Sequence, residues 1–236
     1  MSLLTLENVH TYYGEAHILQ GVSVAVGEGE VVTLIGRNGA GKTTTLRSIM
    51  GIVRARQGRV RLRGEDITAL RTDQIARRGI AWIPEERRVL PNLTVLENLR
   101  LGMLGRPAPN GGGDVLDEVF GYFPRLRERI SHRGRFLSGG EQQMLAIARG
   151  LVSRPTVMLV DEPTEGLAPI LVRNLTDILA AINRRGTTIL LVEQTLEVAL
   201  ALSHRVYVMD QGRIQFEGTP EQLRRDPTIQ QRFLEI

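Results

Sequence analysis

One segment constrains this chain more than any other: Gly36-Arg37-Asn38-Gly39-Ala40-Gly41-Lys42-Thr43, a match to G-x-x-x-x-G-K-[ST]. Of the 30 lysine and arginine residues in the sequence, Lys42 alone is lysine. Arginine serves every other cationic position, so the exception calls for a local reason. Lysine is a compact point charge with three donors on a flexible stem, whereas a planar guanidinium fork is too bulky inside a loop wrapped around phosphates. Before the loop, Val31-Val32-Thr33-Leu34-Ile35 is a short apolar, β-branched run that predicts a strand. After it, Thr43-Thr44-Thr45-Leu46-Arg47-Ser48-Ile49-Met50 predicts a helix. Strand, glycine loop and helix N-terminus in this order form a cradle of backbone N–H groups for nucleotide phosphates. Lys42 is then expected to reach the β- and γ-phosphates, and the Thr43 hydroxyl to ligate Mg2+.

At 236 residues the chain suits one large α/β domain, or one domain with a subdomain, around a sizeable core. Apolar residues make up 42% and charged residues 24%, which argues for a soluble globular protein over a disordered or fibrous one. The absence of cysteine excludes disulfides and thiolate metal sites and suits a cytoplasmic protein. A net charge of +4, with arginines scattered among 26 acidic residues, predicts a mixed-charge surface and no nucleic-acid partner. The first residues, Met1-Ser2-Leu3-Leu4-Thr5-Leu6-Glu7, lack the basic start and long apolar stretch of a signal peptide. Apolar runs such as 189–192 are far too short to span a bilayer, so membrane association is expected through a partner.

Along the chain, apolar runs at 3–9, 22–26 and 60–62 predict strands separated by glycine-bearing turns, so the amino end reads as β-rich. Runs at 157–160, 188–192 and 206–209, separated by helical patterns, have the spacing of a parallel sheet. Asp210-Gln211-Gly212 reads as a turn into a further strand at 213–217. Between Pro91 and Pro155 the pattern is helical, broken by a glycine- and proline-rich connection at 105–113. Thr94 with Glu97 forms a capping box that starts a helix at Val95, and Ser138 with Glu141 forms another. Trp82 reads as core or subdomain packing.

Two further segments carry chemistry. Leu137-Ser138-Gly139-Gly140-Glu141-Gln142-Gln143 opens an apolar helical run, and glycines at the head of a capped helix leave N–H groups open to an anion. Val157-Met158-Leu159-Val160-Asp161-Glu162 is an apolar strand ending in adjacent carboxylates, and the strand ends of open α/β sheets are where ligands collect. Asp161 is a candidate for holding Mg2+ beside the nucleotide. Glu162 is a candidate general base toward an attacking water.

These three segments, in this order and at this separation, resemble the ATP-binding cassette family over essentially the whole chain. The resemblance implies a P-loop NTPase of α/β class: a RecA-like parallel-sheet core with an antiparallel β subdomain and an inserted α-helical subdomain. The approximate parts are 1–90 and 155–236 for the core with its β subdomain and 91–154 for the helical part. It implies ATP and Mg2+ as ligands, Tyr13 against the adenine ring, and Gly36, Arg37, Asn38, Gly39, Ala40, Gly41, Lys42, Thr43 and Thr44 around the phosphates. In that family two cassettes pair head to tail, so Ser138 and Gly140 are implied to meet the γ-phosphate of the partner's ATP.

Two positions depart from the family pattern. Glu85 stands where most cassettes carry a glutamine that senses Mg2+, and a carboxylate can ligate magnesium itself. Gln194 stands where a histidine usually contacts the γ-phosphate, and an amide cannot carry the charge of a protonated imidazole. Slower turnover is therefore expected at this site, and Gln194→His is expected to raise it.

These departures, with 161–169 and 192–194, resemble the shorter ATPase subunit of branched-chain amino acid importers, with urea and amide importer ATPases as near relatives. The resemblance implies a longer ATPase sibling in a heterodimer (a homodimer being the other arrangement), two membrane permeases, an external solute-binding protein acting indirectly, and a peripheral location on the cytoplasmic face of the membrane. A non-transport cassette ATPase would carry two cassettes or a long coiled coil, and a P-loop kinase would have no use for the 137–143 segment.

Overall fold

The computed structural model describes residues 2–104 and 113–234. Ser2–Tyr13 (β1) and Ala16–Gly27 (β2) form a long antiparallel hairpin, followed by Val31–Ile35 (β3) and Lys42–Ile49 (α1). Ala55–Leu62 (β4) pairs with β1 and with the short Glu65–Asp66 (β5). Thr72–Arg77 (α2) then leads into Ile80–Ile83 (β6). A run of helices follows: Val95–Met103 (α3), Gly113–Tyr122 (α4), Pro124–Glu128 (α5) and Gly139–Leu151 (α6). The chain returns through Val157–Asp161 (β7), Pro169–Arg184 (α7), Thr188–Glu193 (β8), Leu196–Leu202 (α8) and Arg205–Asp210 (β9). Arg213–Gly218 (β10), Pro220–Arg224 (α9) and Pro227–Phe233 (α10) complete it.

Two sheets result, as the apolar runs predict. One has the order β2-β1-β4-β5, the other β10-β9-β3-β8-β7-β6. In the second sheet all neighbours run parallel except the β9–β10 hairpin at one edge. β3, β7 and β8 are buried along their whole length, which is why they read as unbroken apolar runs rather than alternating ones. Successive side chains of a strand face opposite ways. Val157, Leu159, Leu190 and Val192 pack on one face with Leu46, Ile49 and the first sheet. Met158, Val160, Ile189 and Leu191 pack on the other with α3, α6 and α7.

The strands of the first sheet extend beyond the predicted runs because their outer residues alternate with exposed polar ones and carry no continuous apolar signal. Both predicted capping boxes form: Thr94 Oγ1 accepts from Glu97 N at 3.2 Å, and Ser138 Oγ accepts from Glu141 N at 3.3 Å. Buried Asn98 accepts from Leu90 N at 3.0 Å and donates to the carbonyls of Leu90, Leu93 and Thr94, fixing the entry to α3. The connection predicted at 105–113 lies, apart from Gly113, outside the described residues. Trp82 packs against the core but also lines an open groove with Met50, Leu90, Leu101 and Arg149. Among the described residues no helix is long and apolar enough to cross a membrane.

Candidate active site

The parallel order β3-β8-β7 brings the C-terminal ends of three strands side by side, and the glycine loop leaves the first of them. Gly36 passes so near the end of β9 that an added Cβ would sit 2.2 Å from the Met209 carbonyl oxygen, so only glycine fits. Gly41 caps α1 in the left-handed region at φ 110°, which turns the chain sharply into the helix. Asn38 and Gly39 form the exposed crest between them. Buried Ala40 donates its N–H to Arg37 O at 3.2 Å, which closes the turn.

Lys42 is buried and its Nζ donates to Gly36 O at 2.8 Å and Arg37 O at 3.0 Å, pinning its own loop. The same ammonium lies 3.1 Å from Glu162 Oε1. Glu162 follows β7 with φ 42°, a left-handed conformation that costs a non-glycine residue about 1 kcal/mol or more. Three contacts hold it there: its N–H donates to Val192 O at 2.9 Å, Lys42 faces one carboxylate oxygen, and Gln194 Nε2 donates to the other. The two residues proposed from sequence as catalytic are thus brought into direct contact.

Asp161 lies beside them. Its Oδ1 accepts from Thr43 Oγ1 at 3.0 Å, while buried Oδ2 has no hydrogen-bond partner among the described residues. Burial pushes its carboxyl up to about 6, and the Thr43 bond offsets this only in part. A buried oxygen without a partner, next to a threonine hydroxyl and across from Glu85, is an all-oxygen donor set of the kind hard divalent cations take. Among the described residues no three His, Cys, Asp or Glu side chains form a metal cage.

The cleft above these groups has a volume of about 450 Å³ and is lined by Tyr13, Ile18, Asn38, Gly39, Gly41, Lys42, Thr43, Thr44, Glu85, Glu162 and Glu165. Tyr13 and Ile18 supply its apolar lining, and the loop and carboxylates its polar side. Gly36, Arg37, Asn38 and Gln194 border an adjoining hollow of about 370 Å³ with Leu234. Glu165 was not singled out by the sequence reasoning, although it lies three residues beyond Glu162 on a turn closed by its N–H to Glu162 O at 3.2 Å. Burial first, then the neighbouring Glu85 and Glu162 carboxylates, raise its carboxyl above the ordinary range. Arg47, which donates to the Tyr13 hydroxyl at 3.3 Å, also gave no sequence signal.

Ser138 and Gly140 stand apart from this cleft, at the N-terminus of α6. Ser138 is exposed, and its hydroxyl and N–H are both engaged by Glu141 in the capping box. Gly140 packs so closely that a Cβ would meet Leu171 Cδ1 at 2.7 Å. The cleft and the N-terminus of α6 are therefore two separate surfaces of the fold.

The family described as ABC transporter matches residues 19–165 of this chain. The high-affinity branched-chain amino acid transport ATP-binding protein BraG of Pseudomonas aeruginosa is 44% identical over 233 residues, spanning 98% of this chain and 99% of that protein. The lipopolysaccharide export system ATP-binding protein LptB of Haemophilus influenzae is 36% identical over 99% of this chain and 98% of its own length. Among solved structures, the ADP conformation of MJ1267, an ATP-binding cassette of an ABC transporter, superposes with a TM-score of 0.88 at 29% identity, covering 98% of each chain. The dimeric structure of MJ0796, a bacterial ABC transporter cassette, gives 0.82 at 28% identity over 92% of this chain and 98% of that one. With a glycine loop, a strand-end carboxylate pair and a capped glycine-led helix in one fold, the chain belongs to the ABC transporter family and is one of its ATPases.

Proposed function

We propose that this chain is the ATP-hydrolysing subunit of an importer for branched-chain amino acids. The 44% identity to BraG along essentially the full length of both chains carries this reading. The Glu85 and Gln194 departures, shared in pattern with the shorter ATPase subunit of such importers, support it. The unit we propose is a pair of cassettes, this chain with a longer sibling, mounted on two permeases at the cytoplasmic face and fed indirectly by an external binding protein. The dimeric MJ0796 cassette supports the pairing.

The residues of the site account for turnover in this reading. Loop N–H groups and Lys42 bind the triphosphate, and Tyr13 takes the base. Before ATP enters, Lys42 is shared between two loop carbonyls and Glu162, so Glu162 is held by an ammonium and an amide. An incoming phosphate competes for the ammonium and releases one carboxylate oxygen. Glu162 then takes a proton from water as the water oxygen bonds to the γ-phosphorus and the bond to the β-phosphate oxygen breaks. Asp161, Thr43 and Glu85 would hold magnesium, which would supply neutralisation of phosphate charge. Ser138 and Gly140 of the facing cassette close the site and exclude water.

The 36% identity to LptB supports a second reading, an ATPase for lipopolysaccharide export. Uptake of labelled leucine, isoleucine and valine in a strain lacking this chain separates the two. Restoration by the wild type but not by Glu162→Gln supports import. Unchanged uptake with a defective outer membrane supports export instead.

A further inference from the structure

Tyr13 ends β1 with its side chain 41% exposed, and it supplies, with Ile18, the apolar lining of the cleft. An exposed tyrosine at a hairpin end is free to turn away from the cleft, and ordering a side chain costs entropy when a ligand must do it. Two arginines from other elements remove that freedom. From α1, Arg47 Nη1 donates to the Tyr13 hydroxyl at 3.3 Å and so fixes the far end of the ring. From β4, Arg56 Nη2 donates to Gly14 O at 2.6 Å, and its guanidinium lies 4.4 Å from the centroid of the Tyr12 ring. That second contact ties the turn that immediately follows Tyr13. Tyr12 in turn stacks on His17 across the hairpin, with centroids 4.1 Å apart and planes 8° from parallel. The turn is thus clamped from one side of the sheet and the ring from the other, while the face of Tyr13 toward the cleft stays open.

We propose that Arg47 and Arg56 are positioning residues for base recognition: they hold Tyr13 ready to stack on a purine and so raise affinity for the nucleoside part of the ligand without touching its phosphates. The proposal rests on the reading of Tyr13 as the base platform. Neither arginine lines the cleft, which separates this role from direct phosphate binding.

The test compares calorimetric binding of ATP with that of inorganic tripolyphosphate, which offers the phosphates and no base, on the full chain. Tyr13→Ala is expected to weaken ATP about tenfold or more and leave tripolyphosphate affinity in place. Arg47→Ala is expected to weaken ATP about threefold to tenfold with tripolyphosphate again unmoved, and Arg47→Lys, which keeps a donor, to restore part of the loss. In a Tyr13→Phe background, which removes the acceptor, Arg47→Ala is expected to add nothing. If Tyr13→Ala is selective for ATP but Arg47→Ala and Arg56→Ala are not, the positioning role is overturned and the base platform stands. If Tyr13→Ala itself lacks selectivity, the base lies elsewhere and both fail.

Discussion

The chemistry of single residues here is set by how few cations face many carboxylates. Glu162 and Asp161 are adjacent, Glu85 and Glu165 face the same cleft, and Lys42 is the ammonium that reaches Glu162. Asp161 shows the consequence most clearly. It ionises at about 6 in the folded chain and near the ordinary aspartate value in the unfolded one, so the folded state holds its proton more tightly. Its contribution to stability is therefore full below about pH 4, falls as pH rises toward about 6, and is gone above that. Asp161→Asn keeps an acceptor for Thr43 and removes the buried charge. The nucleotide-free variant is expected to match the wild type near pH 4 in urea titrations. Above pH 6 it should exceed the wild type by an amount on the order of 2 kcal/mol, while losing magnesium-dependent ATP binding. Parallel stability profiles for the two proteins contradict the assignment. Gln194 belongs to the same network through its bond to Glu162. Gln194→His replaces a neutral amide by a group able to carry charge, and phosphate release at saturating ATP should rise. An unchanged or lower kcat shows that the amide does not limit turnover.

At the scale of elements, the site depends on helix ends. α1 begins at Gly41, whose positive φ no β-branched residue adopts without strain, and α6 begins at Ser138 inside a complete capping box. The cap at Ser138 has two separable duties. Ser138→Ala removes the side-chain acceptor and is expected to cost about 1 kcal/mol in thermal unfolding. Ser138→Asp restores a good cap, and stability should return to near the wild-type value. Its negative charge, however, faces the proposed γ-phosphate of the partner, so ATP-dependent pairing of cassettes should be lost. If Ser138→Asp pairs normally, α6 does not meet that phosphate. What was legible from sequence follows from the same physics. β3, β7 and β8 are buried on both faces, so their residues are uniformly apolar, and the loop and both capping boxes are contiguous in sequence. Helix α9 opens on Thr219 and Gln222, a third capping box equally contiguous in sequence but not singled out from it, whereas the short helices α2, α5, α8 and α10 carry no such box of Ser or Thr with Glu or Gln. Likewise, contacts between distant segments, such as Lys42 with Glu162, Gln194 with Glu162 and Arg47 with Tyr13, follow only from strand order and helix packing.

On the scale of the whole molecule, the cleft and the N-terminus of α6, the two places we propose to meet phosphate, are separate within one chain. The cleft holds Lys42, Thr43 and the carboxylates, whereas Ser138 and Gly140 lie on α6 outside it. In the proposed reading, a triphosphate in the cleft takes donors from one side, and a second cassette turned head to tail supplies the other side. On that reading, closure and opening form a two-state element biased by the γ-phosphate, the route we propose from hydrolysis to motion of the permeases. The measurement that tests this most directly is the mass in solution, by light scattering, of Glu162→Gln, mixed with the sibling ATPase we propose, and saturated with MgATP. That variant keeps side-chain hydrogen bonding at the position and lacks the base. The account predicts a stable pair of cassettes that retains unhydrolysed ATP and dissociates when ATP is replaced by ADP. Cassettes that stay monomeric while saturated with MgATP contradict it.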